Sequence, residues 1–212
     1  MRYDRRRSPL AVSLDNVPDD GQVGERDNNH IDVENVVGGL AGDEVTGGAA
    51  GNSLSGGQGA DSLRGLDGND ELIGGSGDDV LDGGRGHDSA VASAAPDGAD
   101  LFQGGLGRDT ASYVARSESV HVTLDLSAND GAPGEDDNVG GNVLDVEQVV
   151  GGSASDVLTL DFVVTAPVIL RGGPGNDVIS TEAIGIRDTA DGGPDRDSCR
   201  TDANDFRFSC ER

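Results

Sequence analysis

The chain has 212 residues with 15 basic and 40 acidic side chains, so its formal net charge is -25, and aromatic residues make up only 3%. A charge of this size repels nucleic acid phosphates and anionic lipid. Most of the acidic residues are Asp, which favours turns, so we predict little helix. Low hydrophobicity with high charge is also typical of disordered chains, and a disordered polyanion is the alternative for the metal-free protein.

Residues 1–37 are the first predicted segment, and their sequence returns later in the chain. "AVSLDNVPDDGQVGERDNNHIDVENVVGG" from Ala11 is similar to "HVTLDLSANDGAPGEDDNVGGNVLDVEQVVGG" from His121, and Tyr3 aligns with Tyr113. A complete nonapeptide precedes the second copy, so we expect the chain to start inside a repeat and to be a piece of a longer protein. The basic opening "MRYDRRRSPL" has no apolar segment after it, so we predict no secretory signal.

Residues 38–112 form a nonapeptide array, with further copies downstream. The register continues without slippage at Gly38, Gly47, Gly56, Gly65, Gly74 and Gly83, and later units start at Ala95, Gly104, Gly151, Gly172 and Gly192. In the array from Gly38 to Ser112, position six holds Asp43, Asn52, Asp61, Asp70, Asp79, Asp88, Asp100 and Asp109. Position eight holds Val45, Leu54, Leu63, Leu72, Leu81, Ala90, Phe102 and Ala111.

This phase predicts a stacked coil. Glycine at positions one, two and four permits positive φ and lets carbonyl groups converge. Positions seven to nine form a short strand, so two units make one coil with two strands and two turns. Parallel stacking of coils would place the position-eight side chains in an inner ladder and the position-six carboxylates in two outer columns.

The carboxylate columns predict a bound cation. Stacked strands lie about 4.8 Å apart, so carboxylates on neighbouring rungs would repel each other. Calcium accepts six to eight oxygens in flexible geometry, whereas magnesium needs a tighter octahedron. Zinc prefers nitrogen and sulfur, and the three histidines, His30, His87 and His121, share no motif. Apolar burial in one coil is too small to order its backbone, so we expect several calcium ions to contribute to folding.

The units "GGQGADSLR", "GLDGNDELI", "GGSGDDVLD" and "GGRGHDSAV" resemble the haemolysin-type, or repeats-in-toxin (RTX), calcium-binding nonapeptide. The resemblance implies a right-handed parallel β-roll, with calcium held between turns two repeats apart by position-six carboxylates and turn carbonyls. By position, the implied metal ligands are Asp61, Asp70, Asp79, Asp88, Asp100, Asp109, Gly57, Gly59, Gly68, Gly75, Gly77, Gly84, Gly86, Gly105 and Gly107.

More degenerate units extend this ligand set to Asp43, Asn52, Asp156 and Asp177. Several units depart from the pattern: three have alanine at position four, Leu66 and Pro96 replace glycine at position two, and Asp195 replaces it at position four. These departures predict that some turns do not bind an ion.

Three further segments complete the chain. Residues 113–150 duplicate residues 3–37, residues 151–191 hold degenerate roll repeats, and residues 192–212 form a C-terminal cap. Within the cap we predict a disulfide between Cys199 and Cys210, which implies an oxidising compartment; two reduced cysteines are the alternative. The longest apolar stretch, Phe162 to Leu170, is half the length of a membrane-spanning helix.

The sequence lacks the motifs of other function classes. It has no HExxH, no GxSxG and no plausible Cys–His pair, so we predict no enzyme. It has no phosphate-binding GxxxxGK[ST], and "DGNDE" from Asp67 lacks the glycine and helices of an EF-hand. The leading hypothesis is an extracellular or cell-surface calcium-binding module that folds on calcium. The alternative is a spacer or secretion-associated region of a larger toxin, adhesin or extracellular hydrolase.

Overall fold

The computed structural model describes residues 1–125, 127–141, 145–161, 166–182 and 186–211. Across these residues the chain forms strands and turns without any helix. Of the apolar stretch 162–170, residues 162–165 lie outside the described residues. A search of the described residues for a helix long and apolar enough to span a membrane found none.

The strands are short because glycine- and aspartate-rich turns interrupt them at almost every repeat. In the described part of the chain they are β1 (Leu10–Ser13), β2 (Gly21–Gln22), β3 (Asn35–Val37), β4 (Glu44–Thr46), β5 (Ser53–Gln58), β6 (Ser62–Asp67), β7 (Glu71–Ser76), β8 (Val80–Gly86), β9 (Ser89–Val91), β10 (Leu101–Gly107), β11 (Thr110–Ser112), β12 (His121–Leu124), β13 (Asn138–Val139), β14 (Gln148–Val150), β15 (Val157–Leu160), β16 (Ile169–Arg171), β17 (Val178–Thr181), β18 (Thr189–Asp191), β19 (Ser198–Thr201) and β20 (Phe206–Phe208).

These strands stack into a parallel solenoid of about 8 turns. A nine-stranded sheet, in the order β20-β18-β16-β14-β11-β9-β7-β5-β3, runs through both halves of the chain. The opposite side consists of a seven-stranded sheet, β13-β10-β8-β6-β4-β1-β2, and a four-stranded sheet, β12-β15-β17-β19. Among the described strands, all pairings are parallel except β1 with β2. Isolated antiparallel bridges also join Asp20 to Asp27, His121 to Gly131 and Asp130 to Asp137. The predicted all-β parallel β-roll is confirmed.

The register between rungs follows the nonapeptide phase. Leu54 lies opposite Leu72, one coil later, and Leu63 lies opposite Leu81. The three-residue shift before Ala95 is absorbed outside the strands, because Phe102 still lies opposite Leu81. Two nonapeptides therefore form one coil, as the sequence predicts.

In the nonapeptide array, the core is the predicted inner ladder of position-eight side chains, and the flanking segments add further buried side chains such as Tyr3, Leu14, Tyr113 and Leu124. Leu54, Leu72 and Val45 are completely buried, and the position-eight residues of the later rungs, Leu158, Ile179 and Ala190, are equally buried. Each rung adds one such side chain per strand, so the core is a narrow column rather than a globular centre.

Strands in the central array are longer than the sequence predicts. Positions seven to nine were expected to form a three-residue strand, but β5 and β7 each have six residues and β8 and β10 have seven. The first glycines of the next unit continue the ladder, for example where Gly57 lies opposite Gly75. Glycine has no side chain to block this close stacking, and a Cβ on Gly75 would lie 2.1 Å from the carbonyl oxygen of Gly57.

A disulfide between Cys199 and Cys210 joins the last rung to the C-terminal segment. Cys199 occupies position eight of its unit and lies opposite Ile179 in the column, where it is buried. The predicted disulfide is therefore present, and it ties the chain end to the core of the roll.

We expect the disulfide to stabilise this end of the roll. The bridge closes a loop with a sequence separation of 11 residues, so Cys210→Ser should lower the free energy of unfolding by roughly 2–3 kcal/mol. Urea unfolding in saturating calcium measures the change. Adding reductant should lower the free energy of unfolding of the wild-type protein by the same amount and should not change that of the variant. A urea midpoint that changes neither with the substitution nor with reductant would contradict this role.

Candidate metal centres

The position-six carboxylates form continuous ladders along the roll. One oxygen of each accepts a hydrogen bond from the main-chain N–H of the position-six residue on the preceding rung. The N–H of Asp61 donates to Oδ1 of Asp79 at 2.7 Å, and the N–H of Asp70 donates to Oδ1 of Asp88 at 2.8 Å. The same bond extends into the degenerate half, where the N–H of Asp156 donates to Oδ1 of Asp177 at 2.8 Å.

These carboxylates are buried, whereas the sequence places them in outer columns. Asp79 and Asp88 are each 1% exposed, and Asp109 is fully buried. The difference has a physical cause. Each carboxylate points inward, where one of its oxygens accepts the main-chain N–H of the position-six residue on the preceding rung. Glycine at position one leaves room for this carboxylate, because a Cβ on Gly74 would lie 2.2 Å from Oδ2 of Asp79.

The second oxygen of many ladder carboxylates has no hydrogen-bond partner. It is buried and unpartnered among the described residues in Asp61, Asp70, Asp79, Asp88, Asp109, Asp177, Asp188 and Asp197. An unpartnered buried carboxylate oxygen is energetically costly, so each of these atoms requires a proton or a cation. Hard oxygen donors of this kind fit calcium.

Three position-six side chains differ because their second polar interaction lies within the turn. Oδ2 of Asp43 accepts the N–H of Gly39 at 2.6 Å, and Oδ2 of Asp156 accepts the N–H of Gly152 at 2.6 Å. The amide oxygen of Asn52 similarly accepts the N–H of Gly48 at 2.8 Å. We call these three turns self-capped, and we call turns with an unpartnered second oxygen open.

The predicted glycine ligands lie in the turns beside the carboxylates. Their carbonyl groups approach the next rung closely, so that a Cβ on Gly77 would lie 2.2 Å from the carbonyl oxygen of Gly59. The other predicted glycines have the same backbone form, with positive φ at Gly57, Gly59, Gly68, Gly75, Gly77, Gly84, Gly86, Gly105 and Gly107. The carbonyls of these turn glycines therefore lie against the glycines of the next rung.

Asp100 belongs to the ladder although its unit departs from the repeat pattern. Its Oδ1 accepts the N–H of Asp79 at 3.0 Å, and its own N–H donates to Oδ1 of Asp137 at 2.9 Å. Pro96 occupies position two of this unit and has no N–H with which to cap the carboxylate.

Burial raises the pKa of Asp61, Asp70, Asp79 and Asp100 above the usual range of a carboxyl group. Loss of solvation is the largest cause, and main-chain hydrogen bonds oppose it. The pKa reaches about 7 at Asp79 and Asp100 and about 6 at Asp61 and Asp70. Neighbouring carboxylates add to the effect, as Asp61 does at Asp79. These groups therefore hold a proton more firmly in the folded chain than in the unfolded chain.

The side chains do not form a compact metal cluster of the usual kind. Within the described ranges, no three His, Cys, Asp or Glu side chains converge on one point. A cation between these rungs would therefore need main-chain carbonyls as well as carboxylates, which is a donor mixture that calcium accepts.

The duplicated segments contain matching polar networks. Asp20 accepts the N–H of Ser13 at 2.6 Å, and Asp130 accepts the N–H of Thr123 at 2.6 Å. The two segments differ in the burial and the partners of their paired arginines, Arg6 and Arg116. Arg6 pairs with Glu25 at 2.7 Å, and both side chains are about one-third exposed.

In the second segment, the corresponding ion pair is buried and has an additional partner. The guanidinium of Arg116 contacts Glu135 at 2.6 Å and also Asp97, which belongs to the preceding rung. The side chain of Arg116 is only 1% exposed. A fixed cation of the protein therefore lies between carboxylates of successive rungs at this junction.

Sequence reasoning missed several members of the ladders. Their units lack most of the glycines, yet each has an acidic residue at position six that accepts a main-chain N–H. These are Asp137, Glu147, Asp188, Asp205 and Glu211, and Asp197, which the repeat register located, has the same role. An acidic residue two positions before a buried residue, as in Asp137-Asn-Val139, is the signal that could have found most of them.

Comparison with known protein families agrees with this geometry. The family model of the RTX calcium-binding nonapeptide repeat (4 copies) matches residues 28–63, 37–72, 55–90, 97–111 and 169–183. A search of the curated proteins found no match to the chain. The fold and the matched turns define the class as a parallel β-roll. The chain carries RTX calcium-binding nonapeptide repeats, as its sequence indicated.

The buried ion pair at Arg116 should be important for stability, and Arg6 provides a matched control. Arg116→Met would leave Asp97 and Glu135 buried without their cation, which should lower the free energy of unfolding by about 3–5 kcal/mol. Arg6→Met removes a pair whose side chains are about one-third exposed and should cost at most about 1 kcal/mol. Chemical unfolding of both variants in saturating calcium measures the difference, and equal losses would contradict the role assigned to burial.

The metal-free chain should gain strand structure in mild acid. The pKa of Asp79 is about 7 in the fold, above its model-peptide value of 3.8. Protons therefore favour the folded state, fully below pH ~4, and their contribution is lost as the pH rises through ~7. Circular dichroism with chelator should show more strand at pH 5 than at pH 8. The same measurement in 0.5 M KCl, where charges are screened beyond about 4 Å, distinguishes general charge repulsion from protonation of the buried carboxyls. Equal strand content at the two pH values would contradict the prediction.

Proposed function

We propose that this chain binds several calcium ions in its open turns and that these ions drive its folding. The row of buried, unpartnered carboxylate oxygens carries the proposal, and Asp70 and Asp79 are members of it. The match to a calcium-binding repeat family supports the identity of the ion. The ligands are the open position-six carboxylates and the carbonyls of the neighbouring turn glycines.

Calcium fits the donors better than its competitors do. The turns offer carboxylate and main-chain oxygens in a ladder that repeats with each rung, and the described residues contain no cluster of His or Cys side chains. Zinc prefers those softer donors, and magnesium releases its water ligands reluctantly. The three histidines make separate hydrogen bonds, which does not support a zinc site. His87 accepts the N–H of Arg108, His30 contacts Asn16, and His121 contacts Thr123.

Calcium-dependent folding follows from the electrostatics of the same ladder. The chain carries a formal charge of -25, and buried carboxylates on successive rungs repel one another. A divalent ion between the rungs neutralises this repulsion, and its ligands converge only in the folded state. The free energy of ion binding is then part of the free energy of folding.

We further propose that the module acts outside the cell or at the cell surface. The disulfide between Cys199 and Cys210 supports an oxidising compartment. Extracellular calcium modules bind in roughly the 0.1–1 mM range, so a chain of this kind would remain loosely folded at low calcium and become rigid after export. Its role is structural ion binding rather than catalysis.

The second candidate function is that of a spacer within a larger extracellular protein. The nine-stranded sheet is continuous from β3 to β20, so the calcium-bound roll would be a stiff rod. This mechanical role requires the same calcium-dependent folding and differs only in what the roll connects.

A calcium titration tests the proposal directly. We expect circular dichroism to show little strand in chelator and a cooperative gain of strand as calcium is added. Magnesium at the same concentration should not reproduce the gain. A chelator-treated protein that stays compact and strand-rich, with no metal detectable by elemental analysis, would falsify calcium-dependent folding.

A matched pair of substitutions tests the ligand assignment. Asp79→Asn removes a buried ladder carboxylate and should raise the calcium concentration at the folding midpoint about three- to tenfold. Asp78→Asn makes the same change of charge at the adjacent, exposed position and should have little effect. Equal shifts in the two variants would indicate a general charge effect and contradict the assignment of Asp79 as a ligand.

A further inference from the structure

The self-capped turns share one residue type that separates them from the open turns. Position four is alanine in all three, namely Ala41, Ala50 and Ala154. In seven open turns, position four has positive φ: Gly59, Gly68, Gly77, Gly86, Gly107, Gly175 and Asp195. The open turn of Asp188 has Ile186 at position four, so these seven turns carry the comparison. Alanine avoids this region because its Cβ clashes with the backbone.

The conformation at position two changes together with position four. In the same open turns position two also has positive φ, at Gly57, Leu66, Gly75, Gly84, Gly105, Gly173 and Gly193. The N–H of position two then points away from its own carboxylate. For example, the N–H of Gly105 donates to Asp145 at 3.0 Å.

In the self-capped turns the N–H of position two points inward. Gly39, Gly48 and Gly152 lie outside the positive-φ region, and their N–H groups donate to the position-six side chains of their own turns. The polar atom that is unpartnered in an open turn is therefore already satisfied.

Two simpler explanations do not fit these turns. The charge of position six does not decide between the two forms, because Asp43 and Asp156 are carboxylates and are nevertheless capped. The residue at position two does not decide either, since it is glycine in all three self-capped turns, whereas an open turn has Leu66 there. Position four is the difference that remains.

We propose that position four determines which turns bind calcium: the alanine turns cap themselves and take no ion through their position-six side chain. This inference rests on the proposed calcium binding and assigns it to particular turns. In an open turn, an ion relieves the desolvation cost of a buried oxygen. In a self-capped turn, an ion would have to replace an existing hydrogen bond and force alanine into a strained conformation.

Two of the three self-capped turns occupy corresponding places in the roll. Asp43 and Asp156 lie at equivalent positions, each in the turn after a duplicated segment, and the preceding rung contacts them in the same way. The N–H of Leu10 donates to Asp43 at 2.9 Å, and the N–H of Val120 donates to Asp156 at 2.9 Å. Each duplicated segment is thus joined to the following array by a turn that closes without metal.

Neighbouring turns on one edge provide the test. We would measure bound calcium per chain by equilibrium dialysis of the whole protein, for the wild type, Asp156→Asn and Asp177→Asn. Asp156 is self-capped and Asp177 is open one rung later, so both substitutions remove one buried charge from the same ladder. We expect Asp177→Asn to bind one ion fewer than the wild type and Asp156→Asn to bind the same number.

A second variant tests the inference by gain of a site. Ala154→Gly restores glycine at position four beside Asp156 and should add one ion per chain. Ala60→Gly is the control, because it makes the same substitution at position five of an open turn and should leave the number unchanged. Circular dichroism in saturating calcium shows whether each variant is folded.

The outcomes separate this inference from the proposed function. If the wild type binds calcium but the two Asn variants lose equally, or neither loses an ion, the assignment by position four is overturned and calcium binding stands. If Ala154→Gly gains no ion while folded, the role of alanine is overturned. A wild-type protein that binds no calcium at millimolar concentrations overturns both.

Discussion

The fold depends on burying rows of carboxylates between stacked turns. In a typical protein, a buried carboxylate is paired with a cation or satisfied by several hydrogen bonds. Here one oxygen accepts a main-chain N–H of the preceding rung, as Asp79 does from Asp61, while the other is unpartnered in the open turns. Carboxylate oxygens without a hydrogen-bond partner therefore recur at regular intervals along the roll.

The chain meets this requirement in three chemically different ways. Open turns leave an oxygen for an external cation, self-capped turns use the N–H of position two, and the junction near Arg116 uses a guanidinium of the protein itself. The last two solutions occur beside the duplicated segments, where the regular stacking is interrupted. Stability in the metal-free state is therefore expected to be uneven along the roll, because only some rungs carry their own counter-charge.

Regular repetition also explains how imperfect units are accommodated. The units containing Glu147 and Asp188 have lost most of their glycines, but they keep the ladder hydrogen bond and a buried residue two positions later. Each rung contacts mainly its two neighbours, so a degenerate unit is supported by the register of the rungs beside it. Even Leu66 has positive φ, which is unfavourable for leucine, because the rungs on both sides impose the turn.

The sequence by itself determined the coil, its register and the identity of its core. Glycine, aspartate and an aliphatic residue in fixed phase predict two nonapeptides per coil, so Leu54 and Leu72 could be placed opposite each other. The disulfide was predicted separately, from Cys199 at position eight and Cys210 eleven residues later, with reduced cysteines as the alternative. The sequence could not determine that the carboxylates turn inward, or that rungs with few glycines continue the ladder. Those features depend on hydrogen bonds between residues that are one coil or more apart, and such contacts exist only after stacking. The division of turns into open and self-capped likewise required the backbone angles of the folded chain, because the conformations at positions two and four are set together by the neighbouring rungs.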